Sequence, residues 1–69
     1  MRNRVREHRS LVGLTQADLA TALGVSRQTE ISIENGRYLP SLPLAFRIAT
    51  LFDVSLEQLF EPNHEEDDR

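Results

Sequence analysis

Sixty-nine residues make one domain at most, and a chain this short buries roughly 60% of the surface its unfolded form exposes, so its core is small. The absence of cysteine excludes a disulfide framework and a thiolate metal site. The net charge of −3 argues against a polyanionic partner until its distribution is read: the end EPNHEEDDR carries −4, which leaves +1 on residues 1–60.

The first ten residues hold Arg2, Arg4, Arg6 and Arg9 against Glu7. All eight basic residues are arginine, whose planar fork suits phosphate and guanine edges; codon bias yields the same pattern. MRNRVREHRS lacks the apolar segment of a secretory signal, and no apolar run approaches the roughly 18 residues of a membrane span. A soluble cytoplasmic protein with no membrane partner is expected.

A first helix is predicted over about Asn3 to Val12, stopped by Gly13. Thr15 caps the second, with Asp18 as the return partner of a capping box. Its apolar face carries Leu19 and Leu23, and Gly24 suits a left-handed C-terminal position. Ser26 caps a third helix that runs to Asn35 and closes at Gly36. The link GVS is too short for these two helices to lie antiparallel. A steep crossing packed through Leu19, Leu23, Val25 and Ile33 makes a helix-turn-helix, in which the second helix protrudes. Ser41 caps a fourth helix with Pro43 in its first turn; Leu44, Ile48 and Leu51 form a stripe beside Phe46 and Phe52. Ser55 and Gln58 box a short fifth helix, and an acidic, disordered tail is expected over 62–69.

These segments carry a family resemblance. LTQADLATALGVSRQTEISIENGRY resembles the helix-turn-helix of the Xre family, the phage Cro and lambda-repressor-like DNA-binding regulators. PSLPLAFRIATLFDVSLEQLF is similar to the matching portion of small bacterial and archaeal members, including the cytolysin-repressor type. The likeness spans Val5 to Phe60. It implies an all-α, five-helix lambda-repressor-like domain over 1–61. The implied function is sequence-specific binding of double-stranded DNA by a transcriptional regulator, a repressor reading a palindromic operator as a homodimer. An antitoxin, a restriction-modification controller, and an interaction module that has lost DNA binding are the alternatives with the same fold.

The major groove admits one α-helix, whose first two turns reach base edges. Arg27 suits guanine O6/N7, Gln28 suits adenine N6/N7, Thr29 suits a thymine methyl, and Ser32 lies one turn on. On composition alone a solvated polar face looks the same. By resemblance, Gln16, Ser26, Asn35, Arg37 and Tyr38 approach phosphates; Tyr38 also fits as a lid on the core. The resemblance further implies a pair between Arg9 and Glu34, which as a partly exposed pair contributes on the order of 0–1 kcal/mol. Leu51, Phe52, Leu56, Leu59 and Phe60 exceed what a small bundle easily buries and are expected between two copies; a core closed by the fifth helix is the alternative.

Glu30 does not fit the pattern. It shares a face with Ile33, whereas Ile31 lies about 200° away from Ile33 around the helix. The family has Ile or Val where Glu30 stands. A buried, unpaired carboxylate costs several kcal/mol or takes up a proton. The favoured expectation puts Glu30 at the edge of the core with its carboxylate in water; pairing with Arg47, and a destabilising change that leaves the helix mobile, are the others. His8 and His64 are far apart in sequence, and nothing near them has metal-ligand spacing. No nucleophile–base set or Gly-rich phosphate loop appears, so no enzyme, cofactor, metal or small-molecule ligand is expected.

Overall fold

The computed structural model describes residues 2–61; His64 and the predicted tail lie outside them. Five helices follow one another: α1 (Val5–Leu11), α2 (Gln16–Leu23), α3 (Arg27–Glu34), α4 (Leu42–Phe52) and α5 (Leu56–Leu59). Among the described residues the only β pairing is an isolated antiparallel bridge between Asn3 and Phe60. It is extended by the Arg4 N–H donating to the Leu59 carbonyl at 2.8 Å and the Glu61 N–H donating to the Arg2 carbonyl at 3.0 Å.

Local chemistry accounts for most helix ends. The Thr15 hydroxyl accepts from the Asp18 N–H, and the Thr15 N–H donates back to the Asp18 carboxylate, each at 3.0 Å. That backbone N–H, with the Thr15 hydroxyl, holds the Asp18 carboxyl below the usual carboxylate range. Ser55 and Gln58 form the same reciprocal box at α5, whereas Ser26 and Ser41 cap α3 and α4 only by accepting from the Thr29 and Leu44 N–H groups. Thr15→Ala is expected to lower the unfolding free energy by about 1 kcal/mol, with an unchanged denaturant slope in a urea titration. At Gly24 the chain turns between α2 and α3 with φ +74°. A side chain there is strained by about 1–2 kcal/mol, although the nearest atom to an added Cβ, an Arg47 guanidinium nitrogen, lies at an unobstructive 3.7 Å.

α1 begins at Val5, later than the sequence suggests, because Asn3 is used as a tether. Its Oδ1 accepts from the Val5 N–H at 3.1 Å, and its Nδ2 donates 2.8 Å to the Ile33 carbonyl near the end of α3. The core gathers Val5, Leu19, Leu23, Ile33, Leu44, Ile48, Ala49, Phe52 and Leu59. On α4 the inward row is Leu44, Ile48, Phe52, so the expected stripe ending at Leu51 is corrected by one residue. Phe46 and Leu51 are left exposed. Phe52 also stacks on His8 of α1, ring centroids 5.8 Å apart.

Candidate nucleic-acid interface

α2 and α3 pack on each other more extensively than any other helix pair. α3 turns Ile33 into the core and leaves Arg27 and Gln28 exposed at its leading end, with Thr29 and Ser32 partly covered. The Ser26 hydroxyl accepts from the Thr29 N–H at 3.0 Å and donates to Thr29 Oγ1 at 2.9 Å. Its proton is thereby used inside the turn, so any hydrogen bond donated from Ser26 to a phosphate would come from its backbone N–H. Thr29 keeps its methyl. At the far end, the Arg37 and Tyr38 N–H groups both donate to the Ser32 carbonyl, at 2.9 and 3.2 Å. This closure holds the exposed Asn35, Arg37 and Tyr38 side chains just beyond the helix. Tyr38 retains 47% of its surface and is not a lid.

Glu34 organises the C-terminal turn of α3. Arg9 Nε donates to one of its oxygens at 2.6 Å and Gln16 Nε2 to the other at 3.3 Å, while Arg9 Nη1 donates to the Leu14 carbonyl at 2.9 Å. The Arg9 and Glu34 side chains are only 13% and 3% exposed, so the pair is buried and the small magnitude expected from sequence does not apply. Burial pushes the Glu34 carboxyl upward, but hydrogen bonds from Glu30, Arg9 and Gln16 and the Arg9 charge outweigh it and hold it below the ordinary range. One network therefore ties α1, α2 and α3 together. Gln16 also lines a notch with Arg6, Arg9, Thr15 and Arg27, which sets the start of α2 beside the start of α3. In the sequence Arg6 stands out only as one of the N-terminal arginines; its position one turn before Arg9 on a helix is the signal that places it at this notch.

Glu30 is the largest departure from expectation. It is 0% exposed, neither at an edge in water nor bonded to Arg47, and neither carboxylate oxygen meets a hydrogen-bond donor. Loss of hydration first, then hydrogen bonding to and repulsion by the Glu34 carboxylate, opposed by the Arg9 charge, together raise its pKa from the ordinary value to about 8. Two carboxylates have no donor between them, but a protonated Glu30 supplies an O–H for Glu34. At neutral pH the buried residue is the acid.

The apolar residues expected between copies divide. Phe52 and Leu59 are buried in the chain's own core, at 9% and 0% exposure, which corrects their assignment to an interface. The fifth helix closes the core with Leu59 because a short bundle has few other apolar residues for that end. Leu56 and Phe60 line a groove with Leu39, Pro40, Leu42 and Ala45, whereas Leu51 lines a separate one with Ala22, Phe46 and Thr50. The five do not form one face. Arg4, one of the N-terminal arginines, is occupied by Glu61 at 2.6 Å and the Gln58 carbonyl at 3.2 Å. Among the described residues no three His, Cys, Asp or Glu side chains cluster as metal ligands, and no helix is long and apolar enough to cross a membrane.

The chain is similar to known proteins in sequence and in fold. An uncharacterized HTH-type transcriptional regulator of Methanocaldococcus jannaschii is 57% identical over 60 residues, 87% of this chain and 91% of the relative. One of Archaeoglobus fulgidus is 47% identical over 66 residues, 96% and 94% of the two chains. The crystal structure of the restriction-modification controller protein C.AhdI from Aeromonas hydrophila superposes with a TM-score of 0.73 at 35% identity, covering 83% of this chain and 86% of that one. Residues 5–59 match the helix-turn-helix family HTH_3, and the chain belongs to this Xre-like family of transcriptional regulators, which is not a class of enzymes.

Proposed function

We propose that the protein is a cytoplasmic repressor that binds a palindromic operator as a homodimer, with α3 in the major groove. The observation that carries this reading is a helix fixed on one side by the Arg9–Glu34–Gln16 network and exposed at its leading end through Arg27 and Gln28. Arg27, Gln28, Thr29 and Ser32 face base edges; Gln16, the Ser26 backbone, Asn35, Arg37 and Tyr38 approach phosphates. The second copy sits on the groove containing Leu39 and Leu42, which are 64% and 62% exposed, and Leu56 and Phe60. One short helix reads few base pairs; two presented about 34 Å apart read a two-fold operator.

Selection from a random duplex pool, followed by anisotropy titration of the selected site, tests the proposal. Affinity is expected to fall steeply as salt rises. Arg27→Ala is expected to cost about 1–3 kcal/mol on the selected site and to relax preference at one base position. A salt-independent interaction, or an unselected pool, refutes DNA reading and favours an interaction module. The likeness to C.AhdI favours a second reading as a restriction-modification controller, with the same contacts and a neighbouring restriction gene as its mark.

A further inference from the structure

The carboxyl of Glu30 is fully buried and lacks a donor, yet it lies one helical turn from a second buried carboxylate that holds two other helices. Two adjacent negative charges on one helix face repel, and burial amplifies the repulsion. The pair has two ways to relieve this. It keeps one proton between the carboxyls, or it expels Glu30 toward water by rotating or loosening α3.

Resting on the DNA-binding reading above, we propose that DNA affinity is linked to a proton: one proton held between Glu30 and Glu34 keeps α3 seated, and losing it releases the reading helix and Gln16 together. The coupling path is short. Glu34 accepts from Gln16 at 3.3 Å and from Arg9 at 2.6 Å, and Gln16 shares its notch with Arg27 and Arg6. The charged groups bearing on Glu30 are Glu34 of its own helix, which favours the acid, and Arg9 of α1, which favours the carboxylate. α2 contributes the neutral Gln16 amide through Glu34, and among the described residues no charge on α4 or α5 enters. Phosphates arriving at the notch add negative potential beside the pair and strengthen its hold on the proton. By reciprocity, the proton strengthens the hold on phosphate. Alkaline conditions therefore act against DNA binding through the interior of the protein.

The test compares the full chain with Glu30→Gln, a neutral side chain of the same shape, on a short mixed-sequence duplex at low salt. Between about pH 6 and about pH 9 the unsubstituted protein is expected to lose about tenfold more affinity than the variant. The DNA and every other side chain are common to both, so their contributions cancel in the comparison. In the free protein, the Glu30 side-chain carboxyl carbon, followed by NMR, is expected to titrate with a midpoint near 8. Binding by both proteins with parallel pH slopes overturns the linkage and leaves the DNA reading intact. Failure of both to bind, with circular dichroism showing both folded, overturns the DNA reading and the linkage with it. A Glu30 midpoint in the ordinary carboxylate range overturns the buried proton itself.

Discussion

Glu30→Leu is expected to raise the unfolding free energy at pH 7 by about 3 kcal/mol, and by less at pH 5. The folded-state pKa of Glu30 is raised from 4.5 to about 8. Between those two values the folded chain holds a proton that the unfolded chain has released. Raising the pH through that window therefore favours unfolding, and the loss is complete once the folded-state group ionises. Protonation linkage alone reaches about 3 kcal/mol by pH 7, and leucine removes it while filling a similar volume with apolar atoms. In a domain of this size the gain corresponds to a rise in Tm of more than about 10 °C. Glu34 acts in the opposite sense. Its folded-state pKa is depressed, so its contribution is present above the ordinary carboxylate range and is lost as the pH falls through its folded value. The two trends together place the stability maximum in mildly acid solution. Thermal unfolding of both proteins across this range checks the prediction. A lower Tm for Glu30→Leu, or an unchanged slope between pH 5 and pH 8, means that Glu30 has a partner and ionises normally.

What was legible beforehand follows from the range of the interactions concerned. Thr15, Ser26, Ser41 and Ser55 could be assigned as caps because a cap bonds to a backbone N–H within its own turn. Helical phase shows that Ile31 and Ile33 cannot both face inward, and the family resemblance selects Ile33, which is buried. Glu30 was misplaced for a related reason. Phase put it on the buried face, and the cost of burying a charge argued it back out to the edge. The chain resolves that conflict by favouring the acid over the carboxylate, which depends on the separation of two side chains in space. Leu59 required knowing that α5 returns to the segment just before α1, where the Arg4 N–H donates to the Leu59 carbonyl across most of the chain, and Phe52 required knowing that it stacks on His8 of α1. Asn3 was invisible because its partner, the Ile33 carbonyl, is a backbone group 30 residues away.

Arg9→Ala is expected to be the most damaging single change in the interface, costing about 3 kcal/mol at pH 7. It removes the cation from a carboxylate that is 3% exposed, and with it the bond to the Leu14 carbonyl. Glu34 would be left with one amide donor and a neighbouring carboxyl, and its pKa would rise. The cost should then shrink as the pH falls and Glu34 is neutralised in both proteins. This dependence separates the loss of an ion pair from the loss of arginine packing, which is indifferent to pH. Arg9→Ala combined with Glu34→Leu sharpens the distinction. If the double variant recovers most of the stability, the damage came from a stranded charge and not from a missing attraction. Stability measured for the four proteins by chemical denaturation closes the cycle. An Arg9→Ala loss under about 1 kcal/mol would place the pair among exposed ion pairs and remove the anchor that holds α3 against α1 and α2.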